Sequence, residues 1–483
     1  PGRSRAAAWS RASMLGAYDF YYIFWFALVA GVLYYARRQA KIVQDQTVVT
    51  EDFKRFQRSY VVIFLLLTAA DWMQGPYLYA LYDNYGHSKQ VIGRLFILGF
   101  GAAALCSTFV GSLADKYGRK RLCQAYCVLL LLSCAMKHSS SFSALALGRV
   151  FGGASTSILL SSFESWMVHQ HLFLSYPDHW MRGTFEIVAS GTGVVAMMSG
   201  LAATFAASHF GHVAPFDLAI VLAALGLLLL SRAWPENYGD RDISVLQTLE
   251  NAYETIRGDP VIMLLGLSQA LFEAGMYVFV VMWTPSLDET SATPVSHGWV
   301  FSSFMLCIIL GGTLYKQYLA YGGTVEKLML FSCGVGGVAL LIPSVVVEHS
   351  IQLLSFLVFE VSVGVFWPTA SSLRSMYFPE ETRASVMAAL RVPQNLLIIL
   401  VLAVHGHVSH STIFMMSFCF LVGAAVAQWY FIKLTTGEID VIEELGKVDE
   451  NISGLGKGKG GEAGVQMTEV HVNKMEEGDA IAD

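Results

Sequence analysis

Apolar stretches about 20 residues long alternate with short polar breaks along most of the chain. A helix of that length crosses a bilayer core of roughly 30 Å. Thirteen spans can be marked out, the first at about 17–35. Twelve more follow at 60–82, 91–114, 122–136, 143–170, 183–208, 213–232, 261–284, 298–318, 327–346, 351–374, 383–404 and 411–434. The one at 122–136 is short and is expected to extend a few residues at each end. The longest polar interval between spans, 233–260, separates six from six. The halves echo each other: Tyr176-Pro177-Asp178 with Arg182 matches Phe378-Pro379-Glu380-Glu381-Thr382-Arg383 at the equivalent place, the prolines lying 202 positions apart. The pattern predicts an all-α membrane protein in five parts. Residues 1–59 hold an extra transmembrane helix and a basic segment, 60–232 and 261–435 form six-helix halves, 233–260 is a linker, and 436–483 is a tail.

Composition agrees. The 483 residues are 54% hydrophobic and 14% charged, against about 25% charged in soluble domains. The seven cysteines are scattered, with no CxxC and no Cys/His ligand spacing, which argues against a disulfide framework or a zinc site. No cofactor and no nucleic acid partner is expected; the lipid bilayer is. The net charge of −6 conceals a strongly acidic end: from Gly437 onward there are 12 Asp/Glu and 4 Lys, leaving about +2 elsewhere. That tail is Gly-rich and poor in aromatics, and reads as disordered and solvated; a docking segment is the alternative.

Basic residues set the orientation. Arg37, Arg38, Lys41, Lys54, Arg55 and Arg58 precede the second span, Lys116, Arg119, Lys120 and Arg121 fill a short turn, and Arg232, Arg241 and Arg257 border or lie in the linker. Alternation puts all three segments on one side, which is then cytoplasmic. The opposite loops carry few basic residues, among them Lys89 and Lys137. The N-terminus is expected outside and the tail inside, with the plasma membrane as the expected membrane. Met14 is a candidate start, preceded by an Ala- and Arg-rich stretch. The span at 17–35 lacks a cleavage pattern and reads as an uncleaved signal-anchor.

Two motifs stand out. Gly111-Ser112-Leu113-Ala114-Asp115-Lys116-Tyr117-Gly118-Arg119-Lys120-Arg121 resembles the G-x-L-a-D-r-x-G-r-k signature of the major facilitator superfamily. As a gating motif, Gly111 would permit close helix approach, Gly118 a tight reversal, Asp115 would accept from basic partners, and Arg119 would reach a carboxylate across the cytoplasmic mouth. A plain basic loop would need only the Lys and Arg. Gly148-Arg149-Val150-Phe151-Gly152-Gly153 resembles the R-x-x-x-G element of the same superfamily, with Gly152 and Gly153 allowing close packing. The resemblance implies two repeats with a site at their interface.

Ionisable residues inside spans are costly and mark function by default. They are Asp71, Arg149, Glu164, Glu186, Glu273, Glu360 and Arg391; structural carboxylate–guanidinium pairing is the alternative reading of each. Neighbouring aromatics (Trp72, Tyr77, Tyr79, Trp166, Trp367) either wall a cavity or pack the core.

A narrower resemblance follows from Asp71-Trp72-Met73-Gln74-Gly75-Pro76-Tyr77-Leu78-Tyr79, from Gly148 through Thr156, and from Phe163-Glu164-Ser165-Trp166 and Trp234-Pro235-Glu236-Asn237-Tyr238. It continues with Gln269-Ala270-Leu271-Phe272-Glu273, Trp283 through Asp288, Phe301 through Met305, and Arg391-Val392-Pro393. In this order, over about residues 60–430, they resemble the molybdate-anion transporter family, which also carries an extra leading span. The resemblance implies uptake of molybdate, a tetrahedral dianion, by alternating access. It brings no mapped site. From residue chemistry, Arg149 and Arg391 are the candidate clamp, with Gln74, Tyr77, Asn395 and Ser155 as neutral donors. Asp71, Glu164, Glu273 and Glu360 are candidate proton carriers if protons are the coupling ion. Alternatives are a major facilitator carrying another small solute, and a non-transporting membrane sensor. No HExxH, GxSxG or other nucleophile–base constellation suggests an enzyme.

Overall fold

The computed structural model describes residues 50–239, 245–292, 294–379, 383–405 and 407–455. The predicted span at 17–35 and residues 380–382 of the repeated Pro motif lie outside them. The described chain is helical nearly throughout. In the first half, α1 covers Glu51–Trp72, a 3₁₀ turn Gly75–Tyr77, α2 Leu78–Asn84, α3 Lys89–Tyr117, α4 Arg119–Met136, α5 Phe142–Leu159, α6 Ser162–Phe173, α7 Asp178–Phe210 and α8 Ala214–Ala233. Next comes α9, Val245–Gly258, inside the interval read as a plain polar linker. The second half has α10 Pro260–Thr290, α11 His297–Ala320, α12 Val325–Val345, α13 His349–Tyr377, α14 Arg383–Val404 and α15 His410–Leu455.

Among the described residues, ten helical segments are long and apolar enough to cross a membrane, two of them running through a break. The predicted spans at 122–136 and 383–404 are helical but fall short of that measure. In α4 the basic Arg119-Lys120-Arg121 opens the helix, and in α14 the apolar stretch is only Ala389–Val404. The final helix continues to Leu455, into the segment read as a disordered tail, because Glu, Ile, Leu and Lys there favour helix. The described residues from 433 to 455 group as a unit of their own.

Two breaks interrupt long spans. Pro76 lacks a backbone N–H and opens the α1 path at Gln74–Tyr77. The second lies at Leu160–Ser161, between α5 and α6. Broken helices at membrane depth are tolerated where they line a protein interior or cavity.

One apolar core fills the first half around Leu67, Tyr126, Phe163 and Phe216, and another fills the second around Phe272, Phe279, Phe356 and Phe366. A third, with Tyr82, Phe96, Ala274 and Leu402, joins them. The halves pack through α3 on α14, α7 on α11 and α2 on α10. Glycines permit the tightest of these approaches. A Cβ on Gly298 of α11 would lie 2.1 Å from the Gly200 carbonyl oxygen of α7.

Candidate transport site

The break in α1 holds Gln74 against the end of α4, with Asp71 one turn earlier in α1. The Gln74 side-chain oxygen accepts a hydrogen bond from Lys137 Nζ at 3.1 Å. Lys137 lies one residue beyond α4, yet it is only 2% exposed. Its stem runs back along α4, so the ammonium also donates to the Ser133 carbonyl (3.1 Å) and Ser133 Oγ (2.9 Å), over the Phe216 ring. Sequence reading assigned Lys137 to a loop.

Arg149 enters from α5. Its Nε donates to the Leu95 carbonyl at 3.3 Å, and its guanidinium lies 4.9 Å from the Phe96 ring centre. Small residues make the room. A Cβ on Gly99 would fall 2.2 Å from Arg149 Nη2, and one on Gly153 2.2 Å from the Gly99 carbonyl oxygen. The expected close packing at Gly153 is therefore present, and Gly99 is a partner the motif did not reveal. Asp71 lies within electrostatic range of both Lys137 and Arg149. Among the described residues the buried hydroxyls of Tyr79 and Tyr82 have no hydrogen-bond partner, and Tyr82 is within range of Arg149.

A second cluster occupies the other half. Glu273 of α10 is hydrogen-bonded to Gln394 and within range of Arg374 and Arg391. Arg374 Nη1 donates to Gln269 Oε1 at 3.0 Å. Glu273 and Asp71 lie 202 positions apart, the spacing of the repeated prolines. Each half thus holds one carboxylate and two cations. Aromatics bridge the halves here: Phe100, one turn past Phe96 on α3, meets Tyr277 at 5.6 Å, and Tyr277 is within range of Glu273 and Arg391. Lys137, Arg374 and Tyr82 are the members that sequence reading missed. The only signal was the shortness of the 122–136 span and the position of Arg374 at the edge of 351–374.

Other candidates lie apart from these clusters. Tyr77 is buried where α7 meets α11, bonded to Thr204 and the Gly298 backbone and edge-on to His297. Ser155 donates to the Gly152 carbonyl and Asn395 to the Arg391 carbonyl, each within its own helix. Glu164 and Glu186 are exposed, whereas Glu360 is 6% exposed with no cation at ion-pair distance among the described residues. Trp166 does not wall a cavity; it stacks on Trp234 with ring centres 3.9 Å apart.

The 111–121 turn departs from expectation in two ways. A Cβ on Gly111 would meet nothing within 4 Å, so no helix closes on it. Arg119 does not reach across the bundle. It pairs with Asp115 at 2.7 Å across the Gly118 reversal that separates α3 from α4. Gly118 has φ 109°, which favours glycine. The Trp234–Tyr238 strap docks here. Glu236 accepts from the backbone N–H of Lys120 (2.8 Å) and Arg121 (3.2 Å), capping α4, and the Asn237 carbonyl accepts from Arg119 N–H at 2.9 Å.

The family described as sugar transporters with 12 transmembrane helices matches residues 19–361. The molybdate-anion transporter of Takifugu rubripes is 33% identical over 418 residues, covering 79% of this chain and 86% of that protein. The Danio rerio molybdate-anion transporter is 35% identical over 411 residues, covering 78% and 85%. Among solved structures, the D-xylose-proton symporter aligns with TM-score 0.62 at 14% identity over 78% of this chain and 98% of its own. The nucleoside transporter NupG aligns with TM-score 0.61 at 13% identity over 78% and 99%. These likenesses give the fold as that of the major facilitators, a class of transporters rather than enzymes. On this sequence relationship, which extends over most of both proteins, the chain belongs to the molybdate-anion transporter family of the major facilitator superfamily.

Proposed function

We propose that this protein takes up molybdate across a membrane by alternating access, with Arg149 and Arg391 binding the oxyanion from opposite halves. The carrying observation is a surplus of positive charge within the bundle, with Lys137 buried and Arg149, Arg374 and Arg391 half-buried. Among the described residues, Lys137, Arg149, Arg374 and Arg391 have no carboxylate oxygen within 4.0 Å. Lys137 is satisfied entirely by neutral acceptors. Buried cations are costly without a counter-charge. With Asp71 and Glu273 ionised, each half carries one net positive charge, so a dianion balances the pair. The relatives' names supply the choice of molybdate. In this reading the Gln74 amide and the Tyr82 hydroxyl complete the oxygen shell.

In this reading the spans α4 and α14, with the ten longer ones, make a set of twelve; the leading span expected at 17–35 lies outside the described residues. The basic residues put the 115–121 turn and α9 in the cytoplasm, the opposite end outside, and the plasma membrane is the membrane in question. Moving a dianion into a negative interior costs about 4.6 kcal/mol per 100 mV. Protons are the simplest coupling ion, with Asp71 and Glu273 as carriers because they sit among the binding cations.

The test is uptake by Arg391→Ala at normal surface expression. Loss of molybdate uptake is expected; unchanged uptake removes Arg391 from the site. The sugar-transporter description of the family favours a second reading, in which an organic solute occupies the same clusters. Competition of uptake by a sugar but not by tungstate would support it.

A further inference from the structure

The end of the bundle opposite the 115–121 turn carries a charged cluster outside the two central ones. Lys89, first residue of α3, pairs with Glu289 near the end of α10, and so ties one half to the other. The second Glu289 oxygen is 3.0 Å from His410 Nδ1 at the start of α15, and Lys89 Nζ lies 3.5 Å from His410 Nε2. His410 stacks on His405, their ring centres 6.2 Å apart. His405, just past α14, is 1% exposed, and neither ring nitrogen has a hydrogen-bond partner among the described residues. It wedges against α3, where a Cβ on Gly93 would stand 3.4 Å from His405 Cδ2 and 3.2 Å from the Leu402 carbonyl oxygen.

We propose that Lys89, Glu289, His410 and His405 form a latch that holds this end of the two halves shut and opens when His405 takes up a proton. Two features carry the argument. The Lys89 and Glu289 side chains are 44% and 51% exposed, and half-exposed ion pairs hold weakly, as a reversible closure requires. Beneath them, His405 packs as a neutral ring with no acceptor for an added proton. The titratable groups facing it are Lys89 from α3, His410 from α15 and Glu289 from α10. Two are basic, and Glu289 is already engaged by both.

The direction follows. Burial first, then His410 and Lys89, push His405 down to about 4 in the closed arrangement. Once solvated, an imidazole returns to roughly 6.5. The open arrangement therefore binds the proton more readily, and closure weakens as pH falls from about 6.5 towards 4.

The experiment needs no transported solute, so it stands or falls separately from the molybdate reading. A cysteine replacing Ala274, a buried α10 residue in the apolar cluster that joins the halves, reports opening through a membrane-impermeant maleimide applied from the latch side. Rates are normalised to denatured protein at each pH. Lys89→Glu and Glu289→Lys should each raise labelling about tenfold at neutral pH, and the double exchange should restore slow labelling. Acid should accelerate labelling of the parent but not of His405→Phe, with His405→Gln as a second variant should the first misfold. Unchanged labelling in the single reversals, no restoration in the exchange, or an acid response that survives both His405 variants would overturn the latch.

Discussion

Lys137 and Gln74, 63 positions apart in sequence, meet at 3.1 Å where the break in α1 faces the end of α4. This contact joins a backbone irregularity to a buried cation. Pro76 opens α1 just past Gln74, and the freed turn holds that side chain against an ammonium taken from the loop edge back into the bundle. In the proposed mechanism an arriving oxyanion finds a donor set already assembled, which lowers the ordering cost of binding.

Lys137→Met should remove one positive charge and leave Gln74 without its donor. A hydrogen bond to a charged group contributes about 1.5–3 kcal/mol, so the KM for oxyanion uptake should rise by roughly 10- to 100-fold. Lys137→Arg should recover part of the loss. Concentration dependence of uptake, scaled to surface expression, checks this.

Gly99→Ala should act on Arg149 without removing it. The added methyl would lie 2.2 Å from Nη2, so the guanidinium must leave its place over Phe96. Uptake should fall at least tenfold while the thermal midpoint in detergent changes little. Arg149→Lys should also lose most uptake, since an ammonium lacks the planar fork. Equal activity in either variant would detach Arg149 from the oxyanion.

Glu236→Ala should lower stability rather than transport specificity. It removes an anionic acceptor from two N–H groups opening α4, a loss of about 1–2 kcal/mol for a helix cap. Trp234→Ala should cost more, because it also removes the ring stacked on Trp166 at 3.9 Å. Thermal unfolding of the purified protein followed by tryptophan fluorescence ranks the two.

Uptake should increase as the pH on the latch side falls from about 6.5 towards 4, the range over which the latch loosens. Two routes give this sign: proton-coupled entry, and release of His405, which is pushed down to about 4 by burial and by His410 and Lys89. His405→Phe separates them. It should remove pH-dependent access while leaving a proton gradient able to drive uptake.

The order of spans was legible because apolar runs of membrane length leave few alternatives. Arg149 was legible because a guanidinium inside a span is hard to explain otherwise. Lys137 was not, since hydropathy places a lysine one residue beyond a span in a loop, whereas its long stem can turn back inward. Arg374 escaped notice likewise, one turn inside the end of α13. The pairing of Asp71 with Glu273 was written in the 202-residue spacing, but it gained meaning only when each carboxylate was found beside two cations. Gly111 and Arg119 show the opposite case. Their motif is in place, yet its charges are engaged by its own turn and the Trp234–Tyr238 strap, an arrangement that residue order does not specify.

The most direct test is radiolabelled molybdate uptake into vesicles containing the purified protein, with tungstate, sulfate and a sugar as competitors. The surplus of positive charge within the bundle predicts uptake above that of empty vesicles, suppressed by tungstate, indifferent to the sugar, and lost in Lys137→Met and Arg391→Ala. Uptake that matches empty vesicles, or that persists undiminished in both variants, would contradict it.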